Sequence, residues 1–200
     1  MKKITGYFQI IMDTPWKFIN ELRMYLIKPF VLFYLEVICG VEIGKGSKFY
    51  GFPKILKHRN SKIIIGDNFE CRNWKFSNPL GINHPTILST WKNKAILKIG
   101  DNVGVSGGSI VAAGKIEIGD GVLIGANSII IDTDFHPIKS NKRRYDKVNV
   151  KTEAVYIGNN VFIGTNCLIL KGANVADHNI ISAGSVAKRK NIRFQSKIVI

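Results

Sequence analysis

A histidine in a polar segment is the side chain of this sequence best suited to moving a proton. His136 follows Asp132-Thr133-Asp134-Phe135 and precedes Pro137. An imidazole has an ordinary pKa near ~6.5, so a useful fraction of it is neutral and basic at pH 7. Asp134 lies two positions earlier, and in an extended strand both side chains project to the same side. The pair is a candidate for acid–base chemistry. The alternatives are a loop histidine without a role and an Asx-type turn at Asp134.

The other histidines and the cysteines are weaker candidates. His58 and His178 lie in turn-like stretches and we assign them no role, whereas His84 follows Asn83 in another irregular segment. The four histidines lack the paired spacing of zinc ligands, so we expect no metal site. The three cysteines show no Cys-x-x-Cys spacing, which favours a reducing compartment, and Cys167 is predicted to be a core residue.

An aliphatic residue recurs at a step of six along much of the chain, and this repeat must position the candidate residues. The phased positions are Ile99, Val105 and Val111; Ile118, Ile124 and Ile130; and Ile157, Ile163, Ile169, Val175 and Ile181. A helix repeats every 3.6 residues and an ordinary strand every two, so a sustained step of six indicates a parallel β-helix. We therefore predict an all-β fold, a parallel β-helix of hexapeptide repeats.

Two stretches interrupt the repeat and one precedes it. We expect insertions at about residues 72–96 and 132–154, the second a protruding loop that carries His136, within a β-helix domain spanning residues 39–200. Residues 1–38 lack the repeat and form a separate segment, with a short helix from Pro15 to Ile27 that Pro29 interrupts. This segment is either a helical cap on the open end of the β-helix or an amphipathic segment that lies on a membrane surface.

The net charge of +15 arises from 29 Lys and Arg against 14 Asp and Glu, and it favours anionic partners. Candidate partners are a phosphorylated cofactor, an anionic glycan, an acidic membrane surface or nucleic acid, but no nucleic-acid-binding motif is present, so we expect no nucleic acid. The N-terminal region shows no small-residue cleavage site. We expect a cytoplasmic protein, with the inner face of the membrane as an alternative location.

Three motifs resemble those of a known family. They are Ile118-Gly119-Asp120-Gly121-Val122-Leu123-Ile124-Gly125, the His136 segment, and Ile157-Gly158-Asn159-Asn160-Val161-Phe162-Ile163-Gly164 with the later Ser182-Ala183-Gly184-Ser185. The sequence resembles the hexapeptide-repeat, left-handed β-helix acyltransferases, and among them the maltose/galactoside-acetyltransferase-like and capsule O-acetyltransferase branch. The resemblance covers roughly residues 43–189 and implies that the β-helix is left-handed.

The resemblance also implies a homotrimer whose active sites lie in the grooves between neighbouring subunits. His136 matches the family's general base, and Asp134 is expected to orient the imidazole or to bind the acceptor sugar. Asn83, His84 and Ser106 are expected to contribute to the acceptor pocket. Acetyl-CoA is the expected co-substrate, at the matching positions Phe162, Thr165, Ala183, Gly184, Lys188 and Arg189.

Relatives usually carry an Asn and an Asp for the acceptor in the coil before the catalytic loop, where this chain has residues 106–113 with neither. Simple maltose or galactoside specificity is therefore not expected. The function that the resemblance implies is acetyl-CoA-dependent O-acetylation of a sugar hydroxyl in a bacterial surface polysaccharide or its precursor. The alternatives are N-acetylation of an amino sugar and, more distantly, a non-enzymatic anion-binding module.

Overall fold

Three parallel sheets of six strands each form the walls of a left-handed parallel β-helix, as predicted. The computed structural model describes residues 11–189. Sheet A contains β1 (Glu42–Ile43), β4 (Lys62–Ile65), β7 (Ile96–Ile99), β10 (Lys115–Ile118), β13 (Val155–Ile157) and β16 (Asn174–Val175). Sheet B contains β2 (Lys48–Tyr50), β5 (Glu70–Arg72), β8 (Gly104–Ser106), β11 (Leu123–Ile124), β14 (Phe162–Ile163) and β17 (Ile180–Ile181). Sheet C contains β3 (Lys54–Lys57), β6 (Ile87–Thr90), β9 (Ser109–Ala112), β12 (Ile129–Ile131), β15 (Leu168–Ile169) and β18 (Val186–Ala187).

Inward side chains of each strand stack on their equivalents in the coils above and below. In sheet A, Ile99 pairs in register with Ile65 on one side and Ile118 on the other. All three are almost completely buried. The step of six residues therefore reflects one strand and one corner, and three such steps complete a coil.

The repeat phase departs from the prediction at Val111. Ile110, not Val111, pairs in register with Ile130 and is buried, while Val111 points outward from sheet C. The preceding corner is shortened because Gly107 takes the left-handed conformation, with φ of +53°. Val111 shares the six-residue phase, so the repeat predicts it as an inward residue, and this prediction was wrong. The inward residues are five apart from Val105 to Ile110 and eight apart from Ile110 to Ile118.

The corner between sheets A and B, which we call the A–B corner, is held by a ladder of side-chain caps. The Asp101 carboxylate accepts a hydrogen bond from the backbone N–H of Asp67 at 2.7 Å, and Asp120 accepts one from the N–H of Asp101 at 2.8 Å. A Cβ atom at Gly100 would lie 2.3 Å from Oδ1 of Asp120. The glycine of each Ile-Gly-Asp motif thus makes room for the Asp or Asn side chain of the next coil.

We expect Gly100→Ala to lower the free energy of unfolding by about 1–3 kcal/mol, because overpacking at a rigid corner forces the backbone to shift. Gly104→Ala is the matched control, since its new Cβ would meet only the flexible Cδ2 of Leu123 at 3.1 Å. Chemical denaturation of both variants measures the difference. Equal losses would contradict the proposed role of the ladder.

The N-terminal helix α1 (Pro15–Phe33) continues past Pro29 and runs into a π-helical turn at Tyr34–Ile38. The prediction that Pro29 interrupts the helix was therefore wrong. Proline removes one N–H donor. Tyr25, whose carbonyl would accept that bond, is 65% exposed, so water can replace the donor. Met24 and Val31 on the other side of α1 are buried against the first coils.

The first insertion is shorter than predicted. Residues 87–90 form β6, a regular strand of sheet C that pairs with β3 and β9. Its inward residue Leu88 is fully buried, but Ser89 and Thr90 are buried as well, and these polar residues obscure the repeat. The irregular part is confined to residues 73–86, at the corner between sheets B and C, which we call the B–C corner.

Candidate functional site

Asp132 anchors the loop of residues 132–154 where it leaves sheet C. Its carboxylate accepts three backbone N–H bonds from the preceding coil, from Ala113 and Gly114 at 2.7 Å and from Lys115 at 2.8 Å. Asp132 is fully buried, and this burial raises the pKa of its carboxyl, although the three donors favour the charged form. Sequence reasoning missed this residue, although its position directly after β12 was an available signal.

The chain next to His136 is a tight turn and not the extended strand that we predicted. The N–H of His136 donates to the carbonyl of Asp134 at 2.6 Å, and Phe135 between them has φ of +57°. Such a γ-turn with positive φ is rare and strained for a residue with a side chain. The Phe135 ring packs against Trp91, with centroids 6.0 Å apart. The turn folds the backbone back, so the argument that both side chains share one side no longer applies.

Asp134 is held by Lys171 from a later coil and not by the imidazole. Nζ of Lys171 lies 3.1 Å from Oδ1 of Asp134, and both side chains are mostly buried. The other oxygen, Oδ2, is buried and has no hydrogen-bond partner among residues 11–189. No hydrogen bond joins Asp134 to the His136 ring in this part of the chain, so the predicted orienting contact is absent. Spacing within the loop could not predict the contact with Lys171, because Lys171 belongs to a later coil and meets Asp134 only where the coils stack.

His136 is exposed at the surface of the loop. Within residues 11–189 its imidazole has no hydrogen-bond partner, so both ring nitrogens are accessible to a ligand. Asp132 and the Phe135–Trp91 contact together fix the backbone that precedes it. The arrangement presents a weak base on a constrained turn, at the corner between sheets C and A, which we call the C–A corner.

The expected acceptor residues Asn83, His84 and Ser106 lie together at the B–C corner. The N–H of Asn83 donates to Oδ1 of Asn127 at 2.8 Å. Nδ1 of His84 lies 2.8 Å from the carbonyl of Pro85. Ser106 accepts a hydrogen bond from the Asn78 amide at 3.0 Å. Asp134, the fourth expected acceptor residue, lies at the C–A corner, so the structure does not bring this set together within one chain.

Four of the expected cofactor residues lie on the same side of the β-helix as Asn83, His84 and Ser106, in later coils. Phe162 is half exposed on the outer face of sheet B, and the Thr165 hydroxyl donates to the carbonyl of Ala126 at 2.7 Å. Ala183 and Gly184 are exposed at the B–C corner, and a Cβ at Gly184 would meet nothing within 4 Å. This edge is therefore lined by small side chains beside one aromatic ring.

The remaining two cofactor residues, Lys188 and Arg189, lie beyond β18 towards the C–A corner. Both are exposed, and the Arg189 guanidinium pairs with Glu153 of the loop at 3.4 Å. The expected cofactor set is thus divided between two edges of the prism, with sheet C between them. Sheet C also lies between His136 at the C–A corner and Phe162 on sheet B.

Comparison with known proteins links the chain to acetyltransferases. No family model matches it. It is 32% identical over 81 residues to the galactoside O-acetyltransferase of Escherichia coli (strain K12), which is 40% of this chain and 38% of that protein. It is 33% identical over 75 residues to the galactoside O-acetyltransferase of Lactococcus lactis subsp. lactis (strain IL1403), which is 37% of this chain and 34% of that protein. The chain thus matches less than two fifths of the length of these curated relatives.

A solved structure shares the architecture. AntD, an N-acyltransferase from Bacillus cereus crystallised with dTDP and coenzyme A, superposes with a TM-score of 0.53 at 20% identity, covering 76% of this chain and 75% of that chain. The polysialic acid O-acetyltransferase OatWY gives a lower TM-score of 0.40 at 20% identity, over 78% of this chain and 92% of that chain. At this identity the AntD likeness concerns the fold. The chain is thus similar over part of its length to galactoside O-acetyltransferases, and it shares its fold with an N-acyltransferase.

Two of the cysteines lie in the core of the β-helix. Cys71 and Cys167 are fully buried. Burial raises the pKa of the Cys71 thiol to about 12, so that it remains protonated at neutral pH. A buried, protonated thiol is a poor nucleophile. Among residues 11–189 no group of three or more His, Cys, Asp or Glu is placed to hold a metal ion.

Proposed function

We propose that this protein is an acetyl-CoA-dependent O-acetyltransferase that acts on a sugar hydroxyl of a bacterial surface polysaccharide or its precursor. The observation that carries the proposal is the exposed imidazole of His136, held on a strained turn by Asp132 within a family fold. The partial similarity to two galactoside O-acetyltransferases supports the reaction class. Strain at an isolated turn is typical of functional sites.

In this proposal His136 is the general base. A neutral imidazole accepts the proton of the sugar hydroxyl while its oxygen attacks the carbonyl carbon of the thioester. The carbon–sulfur bond then breaks, and the proton passes from the imidazole to the departing thiolate, which leaves an acetyl ester and free CoA. No covalent acyl-enzyme is required. Backbone N–H groups at the corners supply donors for the oxyanion.

The acetyl-CoA site of the proposal lies along the B–C corner. Phe162 offers an aromatic face, and the open space at Gly184 accommodates a narrow chain such as pantetheine. Lys188 is exposed and forms no ion pair with any described residue, so its charge is available to a phosphate. Phe162 and Gly184 at this edge therefore fit the pantetheine chain, whereas Lys188 lies on the other side of sheet C, towards the C–A corner.

The division of the site between two edges supports the expected homotrimer. His136 and Asp134 lie at the C–A corner, whereas Phe162 and Gly184 lie on the other side of sheet C. In a closed three-fold assembly the C–A corner of one subunit can face the B–C corner of its neighbour. We propose that each active site combines these two edges from different subunits, with Asp134 contributing through its ion pair to the position of the loop.

Release of CoA thiol from acetyl-CoA tests the proposed function. The purified chain is incubated with neutral sugars, amino sugars and extracted surface glycans, and the product is located by NMR. Acetyl esters on hydroxyl groups are the expected product. Amide products formed on amino sugars alone would establish the alternative N-acetyltransferase instead. Thiol release that is independent of every acceptor would contradict transfer to a sugar.

We also propose that the outer face of α1 lies on a membrane surface. No helix among residues 11–189 is long and apolar enough to cross a membrane. Large apolar side chains nevertheless form an exposed stripe at helical spacing, at Ile19, Leu22, Leu26, Phe30 and Phe33. The exposed cation Lys17 lies on the same helix, and the net charge of +15 favours an anionic lipid surface over a second copy of this chain.

The double variant Leu26→Glu/Phe30→Glu should abolish binding to vesicles that contain anionic lipid, with at least a tenfold loss expected from the apolar area removed. Leu56→Glu on β3 is the control, because Leu56 is 49% exposed but lies outside the stripe. Flotation of the full chain with vesicles measures the binding. Unchanged flotation would contradict the proposal, as would a change of oligomeric state that is confined to the double variant.

A further inference from the structure

A cleft between α1 and the first insertion has no role in the reaction described so far. Its volume is about 1030 Å³, which is at the upper end of the usual range for ligand pockets, roughly 300–1,000 Å³. Residues of α1 form one wall and residues 75–81 the other. The cleft lies beside the lower coils of sheet B, next to the expected acceptor residues and away from His136.

Contacts between the two walls hold the cleft open. The Asn20 amide on α1 donates to the carbonyl of Phe76 at 3.0 Å, and the Arg23 guanidinium lies 4.2 Å above the centre of the Trp74 ring. The Ser77 hydroxyl donates to the carbonyl of Trp74 at 2.6 Å, which closes the turn of the insertion. Since these contacts already fix the backbone of both walls, the cleft is largely pre-formed.

The charge of the lining is predominantly positive. Three cations, Lys17, Arg72 and Lys75, face a single carboxylate, Glu21. Glu21 accepts a hydrogen bond from the Tyr50 hydroxyl, and Arg72 is held by Glu70 at 2.6 Å. Neither Lys17 nor Lys75 forms an ion pair with any residue between 11 and 189. These two ammonium groups are exposed and available to an anionic ligand.

The lining also contains exposed aromatic rings beside hydrogen-bonding groups. Trp16 is 56% exposed and Phe76 is 64% exposed, and both line the cleft together with the Asn78 amide. An aromatic face can cover the C–H face of a sugar ring, while amides and ammonium groups bind its hydroxyls and carboxylates. The combination of rings, amides and cations suits an acidic carbohydrate better than a purely apolar ligand.

A surface path connects the cleft to the proposed acetyl-CoA edge. Asn78 in the cleft donates to Oγ of Ser106 at 3.0 Å. Arg72 lines both the cleft and a shallow groove of about 180 Å³ on the outer face of sheet B. That groove passes Ser106 and Leu123 and ends at Phe162. A chain bound in the cleft can therefore extend along sheet B to the edge where acetyl-CoA is expected.

We propose that the cleft between α1 and residues 75–81 binds a distal part of an extended acidic glycan, a chain of sugars that carry carboxylates, while a nearer sugar is acetylated. This inference names the class of acceptor and rests on the proposed function. Its physical basis is the pairing of the carboxylates with Lys17 and Lys75 and the packing of sugar rings on Trp16 and Phe76.

Binding of hexuronic acid oligomers of increasing length, followed by calorimetry on the full chain, tests the subsite. We expect the double variant Lys17→Gln/Lys75→Gln to raise Kd about tenfold for long oligomers. The double variant Lys62→Gln/Lys98→Gln is the matched control, because both of its lysines are exposed on sheet A and the charge change is the same. Phe76→Ala should also weaken binding, and neutral oligomers of equal length should bind at least tenfold more weakly.

Equal weakening by the two double variants would overturn the subsite, because it would show binding to the overall positive charge. The subsite would also be overturned if anionic lipid vesicles displaced the oligomers from the chain and bound to Lys17 and Lys75 in preference to them. That result would show that the two lysines form a membrane contact. Acetyl transfer to a short acceptor separates the two proposals, since the cleft variants leave it unchanged. If the unaltered chain transfers acetyl groups but binds no hexuronic acid oligomer, only the subsite is rejected. If it binds the oligomers but transfers no acetyl group, only the proposed function is rejected.

Discussion

Replacing His136 by alanine is expected to lower kcat for acetyl transfer by about 10²- to 10⁴-fold, the usual contribution of a positioned general base. The imidazole is exposed and forms no hydrogen bond within residues 11–189, so its removal leaves no buried partner unpaired. The fold should therefore be unaffected, and KM for acetyl-CoA should change little. Initial rates of thiol release with a responding acceptor give kcat and KM for the variant.

His178→Ala is the matched control for this experiment. His178 is also exposed, but it lies in the A–B corner, remote from the loop. Its own φ is positive, +61°, whereas in the loop the positive φ belongs to Phe135. Its replacement should leave kcat within about twofold, as expected for a surface substitution away from the site. Equal activity of the His136 and His178 variants would show that another group is the base. The next candidate is His84 in the first insertion, because it is also an imidazole.

The second large effect is expected from Asp132→Asn, which should lower the free energy of unfolding by about 3 kcal/mol or more. The carboxylate accepts three backbone N–H bonds in a fully buried position. An amide replaces one acceptor by an NH₂ group that faces N–H donors, and each buried group left unpaired costs about 1–3 kcal/mol. Thermal and chemical unfolding measure the loss, and kcat should fall with it because the loop loses its anchor.

Asp101→Asn is the control for the anchor. The Asp101 carboxylate accepts one backbone N–H with Oδ1, and Asn159 already performs the same function for Asp120 in another coil. An asparagine at position 101 can keep that bond, so the free energy of unfolding should change by less than about 1 kcal/mol. If both variants lose the same stability, the three-donor anchor at Asp132 is not the reason that the loop holds its shape.

Most of the β-helix was predictable because its repeat is local. Each Ile-Gly-Asp motif contains both the inward aliphatic residue and the glycine that makes room for the Asp or Asn side chain of the next coil. The errors occurred where a single residue changes the local geometry. Gly107 shortens a corner and moves the inward position to Ile110, and polar Ser89 conceals a regular strand.

The candidate site was predictable only in its loop residues. The motif around His136 is contiguous in sequence, so it could be identified without a structure. Lys171 and Asp132 depend on contacts between coils, and the Asp134–Lys171 pair spans a distance in sequence that no local pattern encodes. The turn at Phe135 also escaped prediction, because an aromatic residue rarely adopts a positive φ.

The most direct test of the account is a mixing experiment with two inactive variants. One is His136→Ala, and the other is Ala183→Trp, in which a large side chain at an exposed position blocks the edge proposed for acetyl-CoA. If each site combines the C–A corner of one subunit with the B–C corner of another, random mixing into trimers restores about one quarter of the wild-type activity. Co-expressed variants that remain inactive in assemblies shown to contain both chains would contradict the shared site.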